Sequence, residues 1–359
     1  MSDRVEEKCT PSQLMWVVCI PDGVRKKRMR VAVIGSGSWG TALAALLATK
    51  GNEVNLWGLP EEIQAITRDR ENTRYLPGVK LPDRIRPTSN LDEAVADCEA
   101  VVLAVPSTGV RGVVRNLKGI IDEHILLVNA GKGLESESGL RGSQVIREEL
   151  GDEVGDTCVV LSGPNLAVEL ARGIPTATVV ASSDAERARA AQELFWAPNL
   201  RVYRNSDVVG VELGGALKNV LAIGAGISDG LGYGDNTKAT LVTRGLVEMI
   251  RLGCVLGADA RTFTGLSGFG DLMATCASRL SRNLRLGIML GEGRTLDESL
   301  QALGQVAEGM HTCKATHLLS QRYNVYMPIT HEVYAVLFEG KPPRQAVADL
   351  MSRDQKEEF

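Results

Sequence analysis

Residues 31–47 constrain this chain more than any other stretch. Val31-Ala32-Val33-Ile34 runs directly into Gly35-Ser36-Gly37-Ser38-Trp39-Gly40, and Thr41-Ala42-Leu43-Ala44-Ala45-Leu46-Leu47 follows. A short, uninterrupted β-branched run reads as a strand buried on both faces, and the Ala/Leu run reads as a buried helix. Between them the first glycine permits a tight turn and the second lets a pyrophosphate approach the backbone. The third lets helix and strand pack closely. The helix N-terminus adds partial positive charge. Glycines at this spacing are weak evidence alone; set between a strand and a helix they specify a dinucleotide site.

The pattern continues. Strand-like runs at 30–34, 53–57, 100–105, 125–129, 158–161, 177–181 and 201–203 alternate with helical stretches such as 41–49, 139–150 and 185–195. Helical crossovers between buried strands imply parallel pairing. After Ser206 helical periodicity takes over, broken by glycine turns at 230–234, 265–270 and 291–293. The expected architecture is α/β: an N-terminal doubly wound Rossmann-type sheet followed by an all-helical C-terminal domain. The division reads as a disordered leader over 1–28, a dinucleotide-binding domain over 29–205, a helical substrate domain over 206–351 and a tail over 352–359. Met29 falls just before the first strand, where translation would naturally begin. The active site belongs in the cleft between the helical domain and the carboxyl ends of the strands.

Composition narrows the function classes. A formal net charge of −4 argues against nucleic acid as the main partner. No apolar run reaches the roughly 20 residues of a membrane helix, so no integral membrane segment is expected. The leader's apolar run, Leu14–Ile20, precedes Arg25-Lys26-Lys27-Arg28, the reverse of a secretory signal. Seven scattered cysteines and four histidines show no metal-ligand spacing, so no metal is expected and a reduced cytoplasm is the natural compartment.

Three stretches of the second half carry chemistry. Gly214 and Gly215 lie one helical turn before Lys218, and two glycines inside a helix cost about 1 kcal/mol each relative to alanine. Such a cost implies close approach to the backbone beside an unobstructed ammonium. Asp271 closes the turn Gly268-Phe269-Gly270; it can cap a helix through Thr275, or hold the Lys218 ammonium and tune its proton affinity. Ser281-Arg282-Asn283 opens another helix, where an arginine and backbone N–H groups suit a phosphate. An ordinary cap by Ser281 with a solvated Arg282 is the plainer alternative. At the sheet's carboxyl edge stand Lys132 in Gly131-Lys132-Gly133, Ser162-Gly163-Pro164-Asn165, and Ser107, which either contacts the nicotinamide half or merely follows a proline turn. At the end of the second strand, Glu61 and Glu62 come late and read better as a helix start. The choice between NAD and NADP stays open.

From Met29 nearly to the C-terminus the chain resembles the bacterial-type NAD(P)-dependent glycerol-3-phosphate dehydrogenase family. The motifs that carry the likeness are Gly35–Gly40, Lys132–Glu135, Ser162–Pro164, Gly214–Val220, Gly268–Leu272, Ser281–Asn283 and Gln305–Gly309. The resemblance implies NAD(P)-dependent interconversion of dihydroxyacetone phosphate and sn-glycerol 3-phosphate, supplying phospholipid synthesis. It implies cofactor contacts by Gly35, Gly37, Ser38, Trp39, Gly40, Lys132, Ala167, Arg282, Val306 and Glu308. It places Lys132, Gly163, Asn165, Lys218, Asp271, Ser281, Arg282 and Asn283 on the substrate, with Lys218 transferring the proton and Asp271 orienting it. Two positions depart from the family pattern. Leu59 stands where relatives often carry histidine or arginine, and Asn165 where serine or threonine is common. A ketopantoate-type or 3-hydroxyacid reductase is the nearest rival reading, and a non-catalytic NAD(P)H sensor the rival of another class. Oligomeric state stays open, with a homodimer as the candidate assembly.

Overall fold

The structure, a computed structural model, describes residues 28–305, 307–355 and 357–358. The expected leader therefore lies, apart from Arg28, outside the described residues. Eight strands form one sheet: β1 (Arg30–Ile34), β2 (Glu53–Trp57), β3 (Ile85–Thr88), β4 (Ala100–Leu103), β5 (Leu126–Asn129), β6 (Val159–Ser162), β7 (Thr176–Ala181) and β8 (Leu200–Asn205). Their order is β3-β2-β1-β4-β5-β6-β7-β8. β1 pairs with both β2 and β4, Val31 opposite Val54 on one side and Ala100 on the other. The strand order reverses across β1, the switch point where dinucleotides bind in such sheets.

Alternation along β1 explains its wholly apolar sequence. Val31 and Val33 join the core under the Ser38–Thr49 helix, while Ala32 and Ile34 join the core on the opposite face. Both faces are covered, so no position is left for a polar side chain.

Two expectations need correction. β3 was not expected: its sequence Ile85-Arg86-Pro87-Thr88 is short, only partly buried and interrupted by proline, which an edge strand tolerates. Parallel pairing also fails at one place, because β6 and β7 are antiparallel. The helix between them, Ala167–Ala171, has five residues. At about 1.5 Å per residue it is too short to carry the chain back along the sheet for a parallel return. β7 and β8 therefore run opposite to the other six strands. The start of β7 consequently stands beside the carboxyl end of β6.

After Asn205 no strand occurs among the described residues. The Val208–Gly230 helix forms the axis of the second part, every residue from Gly210 to Ser228 being buried. Around it pack the Asp235–Val255, Asp271–Ala277, Arg282–Gly291, Glu308–Arg322 and Pro328–Phe338 helices. It is long and apolar enough to cross a bilayer, with mean hydropathy 1.4, but its length is explained by burial inside the protein. A buried carboxylate ties this bundle together elsewhere: Glu248 accepts from the Ile329 and Thr330 amides, at 2.7 and 3.1 Å, at the start of the Pro328–Phe338 helix.

Glycines set the closest contact of the bundle. A Cβ on Gly226 would lie 2.1 Å from the Leu284 carbonyl oxygen, and one on Gly287 would lie 2.1 Å from that of Ile223. The Arg282–Gly291 helix thus lies backbone against backbone on the axial helix. Gly226→Ala is expected to destabilise the protein by about 1–3 kcal/mol, as overpacking does. Gly112→Ala, at an exposed position of the Ser107–Asn116 helix with nothing within 4 Å of the new carbon, is expected to stabilise it by about 0.5–1 kcal/mol. Denaturant midpoints of the two variants measure both signs.

Candidate active site

Asp271 is where the two parts of the protein meet. It is the first residue of the Asp271–Ala277 helix, directly after a π-helical turn at Leu266–Gly270. Its side chain does not cap that helix. Oδ2 accepts from Lys132 Nζ at 2.7 Å, and Oδ1 accepts from Lys218 Nζ. Lys132 comes from the loop after β5, and its ammonium also donates to the Gly163 carbonyl at the end of β6, at 2.8 Å. Lys218 comes from the axial helix and donates to Thr275 Oγ1 at 2.8 Å. Thr275, one turn beyond Asp271 on the same helix face, donates in turn to the Asp271 carbonyl at 2.6 Å. It was read from sequence only as a capping partner; the four-residue spacing was the available signal for more.

Two of the three donors on each ammonium are therefore committed to protein oxygens, leaving one on each for a ligand oxygen. Lys218 is almost wholly buried. Burial pushes its pKa down to about 8, helped by the neighbouring Lys132 charge and opposed by Asp271. A lysine of ordinary affinity holds its proton to about pH 10.4. This one gives it up within reach of neutral pH, as an acid–base group should.

The paired glycines ahead of Lys218 accommodate protein. A Cβ on Gly214 would lie 2.6 Å from the Ser267 carbonyl oxygen in the π-helical turn, and one on Gly215 would lie 2.4 Å from Ser162 Oγ. The axial helix is pressed against both the turn that delivers Asp271 and the end of β6. Ser162 Oγ and Asn165 Oδ1 are buried here without a hydrogen-bond partner. Asn165 Nδ2 donates to the Ala177 carbonyl at 2.9 Å, so its amide is anchored on β7.

The remaining residues singled out from sequence, Val306 apart, have definite places. Ser281 caps the Arg282–Gly291 helix by accepting from the Leu284 amide. Arg282 is half-buried instead of solvated, with Glu308 and Tyr75 as its charged or polar neighbours. No direct bond joins it to the lysine pair among the contacts described. Asn283 faces inward: Nδ2 donates to Asn219 Oδ1 at 3.0 Å, and Oδ1 accepts from the Gly309 amide at 3.0 Å. Asn219 Nδ2 reaches the Lys132 carbonyl at 3.4 Å. This amide relay escaped the sequence reading, although each member adjoins a charged residue of interest. Asn129 Oδ1 steadies the loop before Lys132 through the Gly131 amide. Glu308 accepts from the Ser107 amide and hydroxyl, at 3.2 and 2.6 Å, so Ser107 links the two parts of the protein. Burial raises the Glu308 pKa, and these two bonds oppose the rise.

At the glycine fingerprint, Gly35 has φ +121, and a Cβ there would lie 2.6 Å from the Ala104 carbonyl oxygen. A Cβ on Gly40 would overlap the Gly35 carbonyl, whereas one on Gly37 meets nothing within 4 Å. The first and third glycines serve the turn and its packing; the second faces open space, which suits a pyrophosphate. Ser38 starts the following helix, and Trp39 Nε1 donates to the Ala130 carbonyl at 3.1 Å, tying the fingerprint to the Lys132 loop. Ala167 begins the short helix that packs on the fingerprint helix. Val306 lies outside the described residues.

Profiles of the NAD-dependent glycerol-3-phosphate dehydrogenase family match both parts of the chain, its N-terminus over residues 30–188 and its C-terminus over residues 207–348. The chain belongs to that family. A glycerol-3-phosphate dehydrogenase (NAD(P)+) from Thermoanaerobacter sp. (strain X514) is 50% identical over 332 residues, 92% of this chain and 99% of that protein. One from Pelotomaculum thermopropionicum is 52% identical over 331 residues, 92% of this chain and 95% of that protein. The crystal structure of glycerol-3-phosphate dehydrogenase from Coxiella burnetii superposes with a TM-score of 0.88 at 39% identity, covering 91% of this chain and 99% of that one. In glycerol-3-phosphate dehydrogenase terms, Lys132 lies in the stretch matched to the family's N-terminus, and Lys218 and Asp271 in that matched to its C-terminus.

Because Asp271 favours the charged form of Lys218, Asp271→Asn is expected to lower the Lys218 pKa below about 8. NMR of reductively ¹³C-methylated protein, with Lys218→Met to assign the resonance, reads the shift. A midpoint that stays put or rises contradicts the arrangement described.

Proposed function

We propose that this protein interconverts dihydroxyacetone phosphate and sn-glycerol 3-phosphate with a nicotinamide dinucleotide, Lys218 transferring the proton. The observation that carries the reading is the single carboxylate of Asp271 shared by two lysines, each with a donor to spare. When bound, the nicotinamide supplies or receives the hydride at the central carbon. The open face of Gly37 and the helix that begins at Ser38 fit its pyrophosphate.

In the direction of reduction, protonated Lys218 donates to the carbonyl oxygen and stabilises the charge that develops on it. Asp271 and Thr275 hold two of its N–H groups, which aims the third. Lys132 adds a second positive charge beside the same oxygen and ties the β5 loop to the site. In the direction of oxidation, neutral Lys218 takes the hydroxyl proton, and a pKa of about 8 makes both roles accessible near neutrality. Ser162 Oγ and Asn165 Oδ1, buried without protein partners, suit the substrate's terminal hydroxyl. Arg282 serves the phosphate, lending binding energy to the positioning of the carbonyl. Asn283, anchored by Asn219 and the Gly309 amide, keeps one N–H and one carbonyl lone pair for the substrate beside Arg282. The five described cysteines are free, and a reduced cytoplasm is the compartment proposed.

The direct test is steady-state reduction of dihydroxyacetone phosphate, with ketopantoate as the competing substrate; turnover of ketopantoate alone sinks the proposal. Lys218→Met is expected to lower kcat about 10²–10⁴-fold while leaving dinucleotide affinity nearly unchanged. For reduction, kcat/KM is expected to fall as pH rises through about 8, because the acid form of Lys218 is lost; for oxidation it should rise over the same interval. Arg282→Ala should depress kcat/KM for dihydroxyacetone phosphate about 10–100-fold more than for dihydroxyacetone, the worth of one charge-assisted contact. Equal losses on both ketones would assign Arg282 to the cofactor or the frame.

A further inference from the structure

Ahead of Lys218 the axial helix carries a second buried side chain with a charge, and its bonds leave the bundle. Glu212 is 8% exposed. Its Oε1 accepts from the Ser143 amide at 2.9 Å, and its Oε2 accepts from Ser143 Oγ and, at 2.6 Å, from Arg141 Nη1. Arg141 Nη1 also donates to Ser143 Oγ at 2.8 Å. Arg141 and Ser143 flank the first residue of the Gly142–Leu150 helix. A carboxylate of the second part of the protein thus caps a helix of the first, where unpaired N–H groups and the helix dipole favour negative charge.

The loop that carries Lys132 is built against that corner. Leu134 pairs with Arg141 in an isolated antiparallel bridge, and the Glu135 amide donates to the Leu140 carbonyl at 3.0 Å. Leu134 is wholly buried in the core of the helical part, in the same cluster as Leu213, the sequence neighbour of Glu212. On the other side of Lys132, a Cβ on Gly142 would lie 2.2 Å from Asn129 Nδ2 and 3.4 Å from Glu212 Oε1. The first turn of the helix is therefore pressed on Asn129, whose Oδ1 holds the Gly131 amide at 3.1 Å. Both ends of the segment around Lys132 rest on the Arg141–Ser143 corner. Glu212 fixes that corner to the helix that carries Lys218.

We propose that Glu212 is a positioning residue for the reaction: by joining the axial helix to Arg141 and Ser143, it sets where the Lys132 ammonium stands relative to Lys218 and Asp271. The proposal rests on the reading above that the two lysines act on the substrate. The charged or titratable groups acting on Lys218 are Asp271 and Cys276 from the Asp271–Ala277 helix and Lys132 from the β5 loop. Burial is the first cause of the low Lys218 pKa, and Lys132 adds to the fall. A loop freed from its anchor lets the Lys132 charge move away and leaves Asp271 to Lys218 alone; both changes raise the Lys218 pKa. Acting through space, loss of the Glu212 charge would do the opposite, because removing an anion disfavours a nearby cation. The sign of the change separates positioning from direct electrostatics.

The test is the Lys218 titration in the full-length protein, read by NMR of reductively ¹³C-methylated lysines without substrate. Glu212→Gln is expected to move the midpoint up from about 8 by about half a pH unit or more. Ser143→Ala, which removes a hydroxyl from the corner and no charge, is expected to move it the same way by less. Glu248→Gln is the control, since Glu248 caps the Pro328–Phe338 helix with the same kinds of bond, from the Ile329 and Thr330 amides and the Thr330 hydroxyl. It is expected to lower the denaturant midpoint and leave the Lys218 titration in place. In turnover, Glu212→Gln is expected to raise KM for dihydroxyacetone phosphate about ten-fold, as one weakened charge-assisted contact does. A Lys218 midpoint that stays or falls in Glu212→Gln overturns the proposal, and so does an equal rise in Glu248→Gln. If Glu212→Gln does not fold, the Ser143→Ala midpoint decides; loss of fold in both assigns the corner to stability alone and overturns the proposal as well. The expected shifts in a protein that does not reduce dihydroxyacetone phosphate would leave the positioning intact and sink the functional reading instead.

Discussion

One carboxylate holds the site together. Asp271 is contacted by an ammonium from the sheet's edge and by another from the axial helix, and all three side chains are largely withdrawn from solvent. Burying these charges is expensive unless they are paired and hydrogen-bonded. Here the cost is met by geometry: Thr275 and the Gly163 carbonyl take up further donors of the two lysines. Two cations around one anion leave a net positive charge in a poorly solvated cleft. Burial depresses the Lys218 pKa, with Lys132 adding to the fall and Asp271 opposing it, and the remaining positive charge suits an oxygen that becomes negative during reaction.

The arrangement works because the backbones behind it are close. Gly214 and Gly215 let the axial helix touch the Ser267–Gly268 turn and the end of β6, and Gly226 and Gly287 let the Arg282 helix lie directly on it. The amide relay then sets the finer spacing. Asn219 follows Lys218, Asn283 follows Arg282, and Gly309 follows Glu308, so the bonds among them register three helices against each other beside their charged groups. Through Asn219 the relay also reaches the Lys132 carbonyl. Positioning is thereby moved off the reactive groups and onto their neighbours.

Much of this is visible in the sequence, for identifiable reasons. The fingerprint is local, so Gly35, Gly37 and Gly40 announce their turn wherever the chain goes. Lys218 stands out because helix-interior glycines are costly, although the close approach they permit is to Ser267 and Ser162 and so belongs to the fold itself. What stays hidden is long-range and polar. Lys132 and Asp271 are 139 residues apart, and only the placement of the β5 loop against the Leu266–Gly270 turn joins them. Asn219 looks like a bystander, because an amide carries no charge and fits a surface as well as a buried relay, and nothing local shows that Asn283 bonds to it. Glu62 reads as a helix-start carboxylate and is one; its bond to Ser36 depends on how the first turn of that helix faces the fingerprint. β3 was hidden by its proline, and the reversal at β7 by strand sequences that look alike whichever way they run.

The axial helix has a consequence for the way the chain is made. Its buried residues run from Gly210 to Ser228, and every helix that surrounds it lies later in the sequence, the Pro328–Phe338 helix among the last. During synthesis the sheet and its covering helices can close as a unit while the axial helix has emerged without its partners. For more than a hundred residues of further elongation, an apolar rod carrying the site's proton-transfer lysine stands partly uncovered. The same enclosure that tunes Lys218 in the finished molecule is therefore completed only late in the chain's synthesis.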